Sequence, residues 1–164
     1  MENIELNHDW FEKRLIVGAF PYKQNTMFYA DDYSVVINVS DEWYLDVEQM
    51  IRERYVRYYW FPMNECVADI GLNSIYGALT ILRHCEEKNL STYLHCHAGI
   101  NRSHTIKCAY YYMRTGKQLI MNGRSNPFVL NSYMGKFGIL DVNKAIRAVN
   151  FEKMQGGILD QIKL

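Results

Sequence analysis

Between residues 69 and 117 the chain reads as helix, short strand, tight turn, helix, and few folds accommodate that order. In "DIGLNSIYGALTILRHCEEK" (69–88), Leu72, Ile75, Tyr76, Leu79 and Leu82 recur at helical spacing, and Asp69 stands where an N-cap belongs. "TYLHC" (92–96) is a short apolar run after a charged turn, as a buried strand would be. From about Arg102 the helical period returns, with Ile106, Ala109, Tyr110 and Met113 on one face and a stop at "TGK". A strand clasped between two amphipathic helices buries its faces by joining a sheet that the helices cover.

Upstream runs supply the partners. "RLIVGAF" (14–20) and "SVVINVS" (34–40) are rich in β-branched residues and bounded by turn formers, and "YVRYYWF" (55–61) is a third such run, ended by Pro62. The pattern predicts an α/β fold: one domain over 1–164, with a central, mostly parallel sheet of about four to five strands flanked by helices. The segment 118–138 is ambiguous, its apolar clusters broken by glycines and a proline, whereas 140–154 reads as a helix capped by Asp141.

Eighteen basic and eighteen acidic residues cancel, so no overall positive field points to nucleic acid or a membrane surface. The apolar runs are far shorter than the roughly 18 residues that span a bilayer. The amino terminus lacks the layout of an export signal, and four cysteines (Cys66, Cys85, Cys96, Cys108) do not make a disulfide framework. A cytoplasmic protein with free thiols is the expectation.

If 92–96 is a strand and 102 onward a helix, residues 97–101 are the loop between them, and Cys96 lies at the carboxyl end of a sheet strand, where open α/β sheets bind ligands. A helix amino terminus offers unpaired N–H groups and partial positive charge. Gly99 allows the backbone to curve into a nest, and Arg102 adds a planar fork suited to two phosphate oxygens. The same surroundings favour a thiolate at Cys96, placed for in-line attack on phosphorus, with a phosphocysteine product that water later hydrolyses. Ser103 can hydrogen-bond that sulfur and improve it as a leaving group.

The motif His95-Cys96-x5-Arg102-Ser103 resembles the phosphate-binding loop of the cysteine-dependent protein tyrosine phosphatase superfamily. Ala98-Gly99, Arg102-Ser103 and "AYYYM" (109–113) look most like its small dual-specificity branch, and the likeness runs over about residues 14 to 115. Beyond residue 116 the chain departs from that branch. The resemblance implies Cys96 as nucleophile and Arg102 as phosphate clamp and transition-state stabiliser. It implies that main-chain N–H groups of His97, Ala98, Gly99, Ile100, Asn101 and Arg102 hold the phosphoryl oxygens, that His95 orders the loop, and that Ser103 assists breakdown of the intermediate. The general acid in that family is an Asp three residues after a loop proline. Here the position three past Pro62 is Glu65, and Asp69 is the alternative carboxylate, with a competing role as helix cap.

The implied activity is hydrolysis of protein phosphotyrosine, with phosphoserine and phosphothreonine as further substrates and no metal or organic cofactor. A phosphoinositide, an RNA 5′-triphosphate, or binding without turnover are the alternatives. Zinc would need His84, Cys85, His95, Cys96 or His97 to converge, and no C-x2-C pair supports it. Cys85 and Cys108 read as packing residues, as does Cys66, which beside Glu65 is also the candidate for an oxidative disulfide with Cys96. Arg124 reads as a solvated loop residue, and the thirteen tyrosines as strand and core residues.

Overall fold

A computed structural model describes residues 5–22, 28–63, 72–99, 102–117, 119–121, 124–125 and 147–149. The strands are β1 (Leu15–Gly18), β2 (Val35–Asn38), β3 (Arg57–Trp60) and β4 (Thr92–His95), and the helices are α1 (Leu45–Arg52), α2 (Leu72–Glu87) and α3 (Arg102–Thr115). A π-helical turn, Trp10–Arg14, precedes β1. The four strands form one sheet in the order β1-β4-β2-β3, and all three pairings are parallel. A separate antiparallel pair, β5 (Ile120–Met121) with β6 (Arg124–Ser125), falls in the segment that was ambiguous in sequence.

β4 is central, flanked by β1 and β2, and all four of its residues are buried, as are those of β2. Parallel strands covered on both faces need apolar residues at consecutive positions. The side chains divide between faces with period two. Leu15, Val35, Ile37 and Leu94 join Ile75, Leu79 and Leu82 of α2 and Ile106, Ala109 and Tyr110 of α3 in one cluster. Val36 and Tyr93 join Phe20, Phe28, Val47, Ile51, Val56 and Tyr58 in the other. Burying a Leu or Ile side chain contributes about 1.5–3 kcal/mol, so these interleaved residues supply most of what fixes the register.

The helical faces read from sequence are the buried ones: Ile75, Leu79 and Leu82 on α2, and Ile106, Ala109 and Tyr110 on α3. Helix α1 was not anticipated, because it buries only Val47 and Ile51, too few to mark a period. The tyrosines divide: Tyr58, Tyr93 and Tyr110 are in the core, whereas Tyr29 and Tyr55 are exposed, the latter with a left-handed backbone (φ 61°). The proposed caps Asp69 and Asp141 lie outside the described residues, and of the 140–154 helix only 147–149 are described, as helix. Cys85 and Cys108 are buried, and burial pushes both thiols up to about 11, as packing residues behave.

Candidate active site

Cys96 sits immediately after β4 and Arg102 opens α3, and of the stretch between them His97, Ala98 and Gly99 are described, outside strand and helix. Both neighbouring strands grip its start: the N–H of Val39 donates to the His95 carbonyl and that of Phe20 to the His97 carbonyl, each at 2.9 Å. Gly99 has φ 71°, and a Cβ there would lie 2.5 Å from the carbonyl carbon of Gly18 and 2.6 Å from the nitrogen of Ala19. The loop therefore packs backbone against backbone on the end of β1, a contact only glycine permits.

Cys96 is almost wholly buried, and its Sγ lies 3.3 Å from Ser103 Oγ, which is fully buried one residue into α3. His95 packs against the second core cluster, edge-on to Phe20 at 4.8 Å. Its Nδ1 lies 3.0 Å from the Cys96 carbonyl, which can only accept, so the Nδ1 bears the proton. Burial without charge compensation lowers the imidazole to about 4, and His95 is a neutral brace for the loop backbone.

Arg102 is 4% exposed, and a buried guanidinium demands partners. Its Nη1 donates to the Met63 carbonyl and to Asp41 Oδ1, both at 2.7 Å, and its Nη2 lies 3.5 Å from Glu42 Oε2. Glu42 Oε1 is in turn 3.9 Å from His97 Nδ1. Asp41 and Glu42 are aimed by a turn at the end of β2 that buried Asn38 assembles. The Asn38 side chain accepts from the Ser40 N–H (2.8 Å) and Ser40 Oγ (2.7 Å), and donates to the Glu42 carbonyl (2.8 Å) and Tyr58 Oη (3.0 Å). Burial pushes the Asp41 carboxyl up, but the hydrogen bonds from Arg102 and from its own backbone N–H outweigh it and hold the carboxyl below its usual range.

The structure thus brings together Cys96, Arg102 and Ser103, with His95 behind and His97, Ala98 and Gly99 on the loop. Ile100, Asn101, Glu65, Asp69 and Cys66 lie outside the described residues. Asp41 and Glu42 were missed from sequence. The available signal was their position directly after a parallel-sheet strand, at the same carboxyl edge as Cys96. Among the described residues no three His, Cys, Asp or Glu side chains gather as a metal site would need, and no helix is long and apolar enough to cross a membrane.

No family model and no curated protein matches this chain. Solved structures do. The active form of Tk-PTP superposes with a TM-score of 0.59 at 15% identity, covering 84% of this chain and 94% of that one. PTPMT1 in complex with PI(5)P gives 0.61 at 12% identity, covering 87% and 96%. DUSP15 gives 0.51 at 15% identity, covering 84% and 90%. The chain has the fold of the cysteine-dependent protein tyrosine and dual-specificity phosphatases, over nearly the full length of those structures.

Proposed function

We propose that this protein hydrolyses phosphomonoesters on proteins, phosphotyrosine foremost and phosphoserine or phosphothreonine with it, through a phosphocysteine intermediate. The observation that carries the reading is the convergence of Cys96, Ser103 and buried Arg102 at one strand-to-helix turn. The Cys96 thiolate attacks phosphorus, the S–P bond forms as the O–P bond breaks, and a carboxylic acid protonates the departing oxygen. Water then attacks phosphorus, a carboxylate takes its proton, and the S–P bond breaks to return the thiolate. Ser103 stabilises the sulfur as it leaves, and Arg102 with the loop N–H groups of residues 97–102 carries the charge of the phosphoryl oxygens.

The acid assigned by spacing is Glu65, with Asp69 in second place. Replacing the true acid, Glu65→Gln or Asp69→Asn, removes the fall in rate at high pH. The whole reading is tested by turnover of a small aryl phosphate by the intact protein and by Cys96→Ser. The intact protein is expected to turn over and the variant to be inactive; turnover by Cys96→Ser would refute the covalent mechanism.

A further inference from the structure

Large apolar side chains stand exposed beside the candidate site. Trp43, Tyr44 and Leu45 follow the carboxylate pair at the end of β2, and Trp60 closes β3; they are 40%, 43%, 55% and 42% exposed. Exposed apolar residues scattered singly are ordinary, but a contiguous group rimmed by charge marks a surface on which a partner docks. This group is contiguous. The Trp43 and Trp60 rings stack with centroids 6.1 Å apart and planes inclined by 25°. Tyr44 lies 5.4 Å from Phe20 and 5.6 Å from Tyr22, and Tyr22 lies 6.3 Å from His97 on the loop after Cys96. The aromatic surface therefore runs on from the rim of the site.

Both indoles are held in place before anything binds. Trp60 Nε1 donates to the Ser40 carbonyl at 2.8 Å, and Trp43 Nε1 donates to Glu48 Oε2 on α1. Glu48 is itself tied to Arg52, 2.7 Å away and one helical turn on. With their N–H groups committed within the protein, the indoles offer a partner ring faces and edges. Aromatic side chains fixed in advance lose little freedom on binding, which is why they anchor interfaces.

The surrounding charge selects the partner. Asp41, Glu42, Asp46 and Glu48 gather four carboxylates within residues 41–48, approached by the guanidiniums of Arg102 and Arg52. The surface is acidic as well as aromatic, and Asp46 is exposed on it. Such a surface repels a nucleic acid or an anionic lipid headgroup. It attracts an ammonium or guanidinium twice over, through the carboxylates and through the negative face of an indole.

We propose that the Trp43–Trp60 pair receives an arginine or lysine side chain of the phosphorylated protein, close in sequence to the phosphorylated residue, so that basic segments are preferred. This rests on the phosphatase reading for where the phosphorylated residue sits, and adds what the substrate carries beside it.

The test compares phosphotyrosyl peptides that differ at one flanking position, arginine against glutamate, with that position moved step by step along each side. For the best-placed arginine, kcat/KM in the intact protein should exceed that of the glutamate peptide about tenfold. The ratio is taken within each protein, so a general loss of activity cancels. Trp43→Leu, which keeps an apolar side chain without the π face, should lower the ratio to about twofold. Trp60→Leu should do the same from the neighbouring strand, so the test survives if one variant fails to fold. Asp46→Lys should bring the ratio to about one or below. Equal turnover of the arginine and glutamate peptides at every position, or a ratio unchanged by the substitutions, overturns the inference. So does binding to phosphatidylserine-containing vesicles that Trp43→Leu abolishes, since the pair would then be a membrane anchor. If the intact protein turns over neither the peptides nor a small aryl phosphate, or Cys96→Ser turns over either, the phosphatase reading fails instead, so the two failures are distinguishable.

Discussion

Substituting Gly99 by alanine isolates the contact that seats the loop after β4 on the end of β1. Two costs combine there. The backbone is left-handed at φ 71°, which an L-residue adopts at about 1–2 kcal/mol. The added Cβ would sit 2.5 Å from the Gly18 carbonyl carbon and 2.6 Å from the Ala19 nitrogen, atoms that cannot rotate away. Such overpacking costs about 1–3 kcal/mol more. Gly116, after α3, provides the control: it has φ 69°, its N–H caps the helix by bonding the Tyr112 carbonyl at 2.8 Å, and a Cβ there meets nothing within 4 Å. Gly116→Ala should therefore cost only the conformational part, about 1–2 kcal/mol, and leave turnover unchanged. Gly99→Ala should cost about 2–5 kcal/mol, and relieving the overlap by lifting the loop about 1 Å should lower kcat/KM about 100-fold. Urea unfolding of both variants at constant m-value reads the stability difference, and an aryl phosphate assay reads the rate. Equal destabilisation of the two variants, within about 0.5 kcal/mol, would show that the loop does not rest on β1 as described.

Two further outcomes follow from buried titratable groups. His95 is lowered by burial to about 4, whereas the unfolded chain protonates it near 6.5, so between these values the unfolded state binds more protons. Stability due to neutral His95 is therefore full above about pH 6.5 and falls by about 3 kcal/mol as the pH drops to about 4; His95→Gln should flatten the stability curve over that window, and an unchanged slope would contradict the assignment. Arg114 donates to both oxygens of Glu86 (2.8 and 2.9 Å), which also accept from the Tyr110 hydroxyl and the Asn7 N–H, and both charged side chains are nearly buried. Arg114→Met should cost about 3–5 kcal/mol by urea midpoint, because Glu86 keeps its buried charge, and Glu86→Leu/Arg114→Met should recover most of that loss. A double variant no more stable than the single would refute this.

The strand at 92–96, the helix faces at 75–82 and 106–110, and the loop between Cys96 and Arg102 were legible because each is a local matter. Period and turn chemistry operate over fewer than about ten residues, and burial then selects the apolar face. Helix α1 escaped notice because Val47 and Ile51 are its only buried residues. The antiparallel pair β5–β6 escaped because two-residue strands carry no alternation to detect.

The candidate site divides in the same way. Cys96, Arg102 and Ser103 are assembled by one turn of chain, so their spacing alone predicted the meeting that the structure places at 3.3 Å between sulfur and hydroxyl. Asp41 is 61 residues from Arg102 in sequence and 2.7 Å from it in space. Nothing local foretells that contact, since it depends on β4 lying beside β2 and on Asn38 turning the chain at the strand's end. The sequence by itself determined the four parallel strands, the buried faces of α2 and α3, and the turn that brings Cys96 to Ser103. The tertiary structure decided which carboxylates share the arginine's charge, because the order of parallel strands follows from how two faces of side chains pack across the whole sheet.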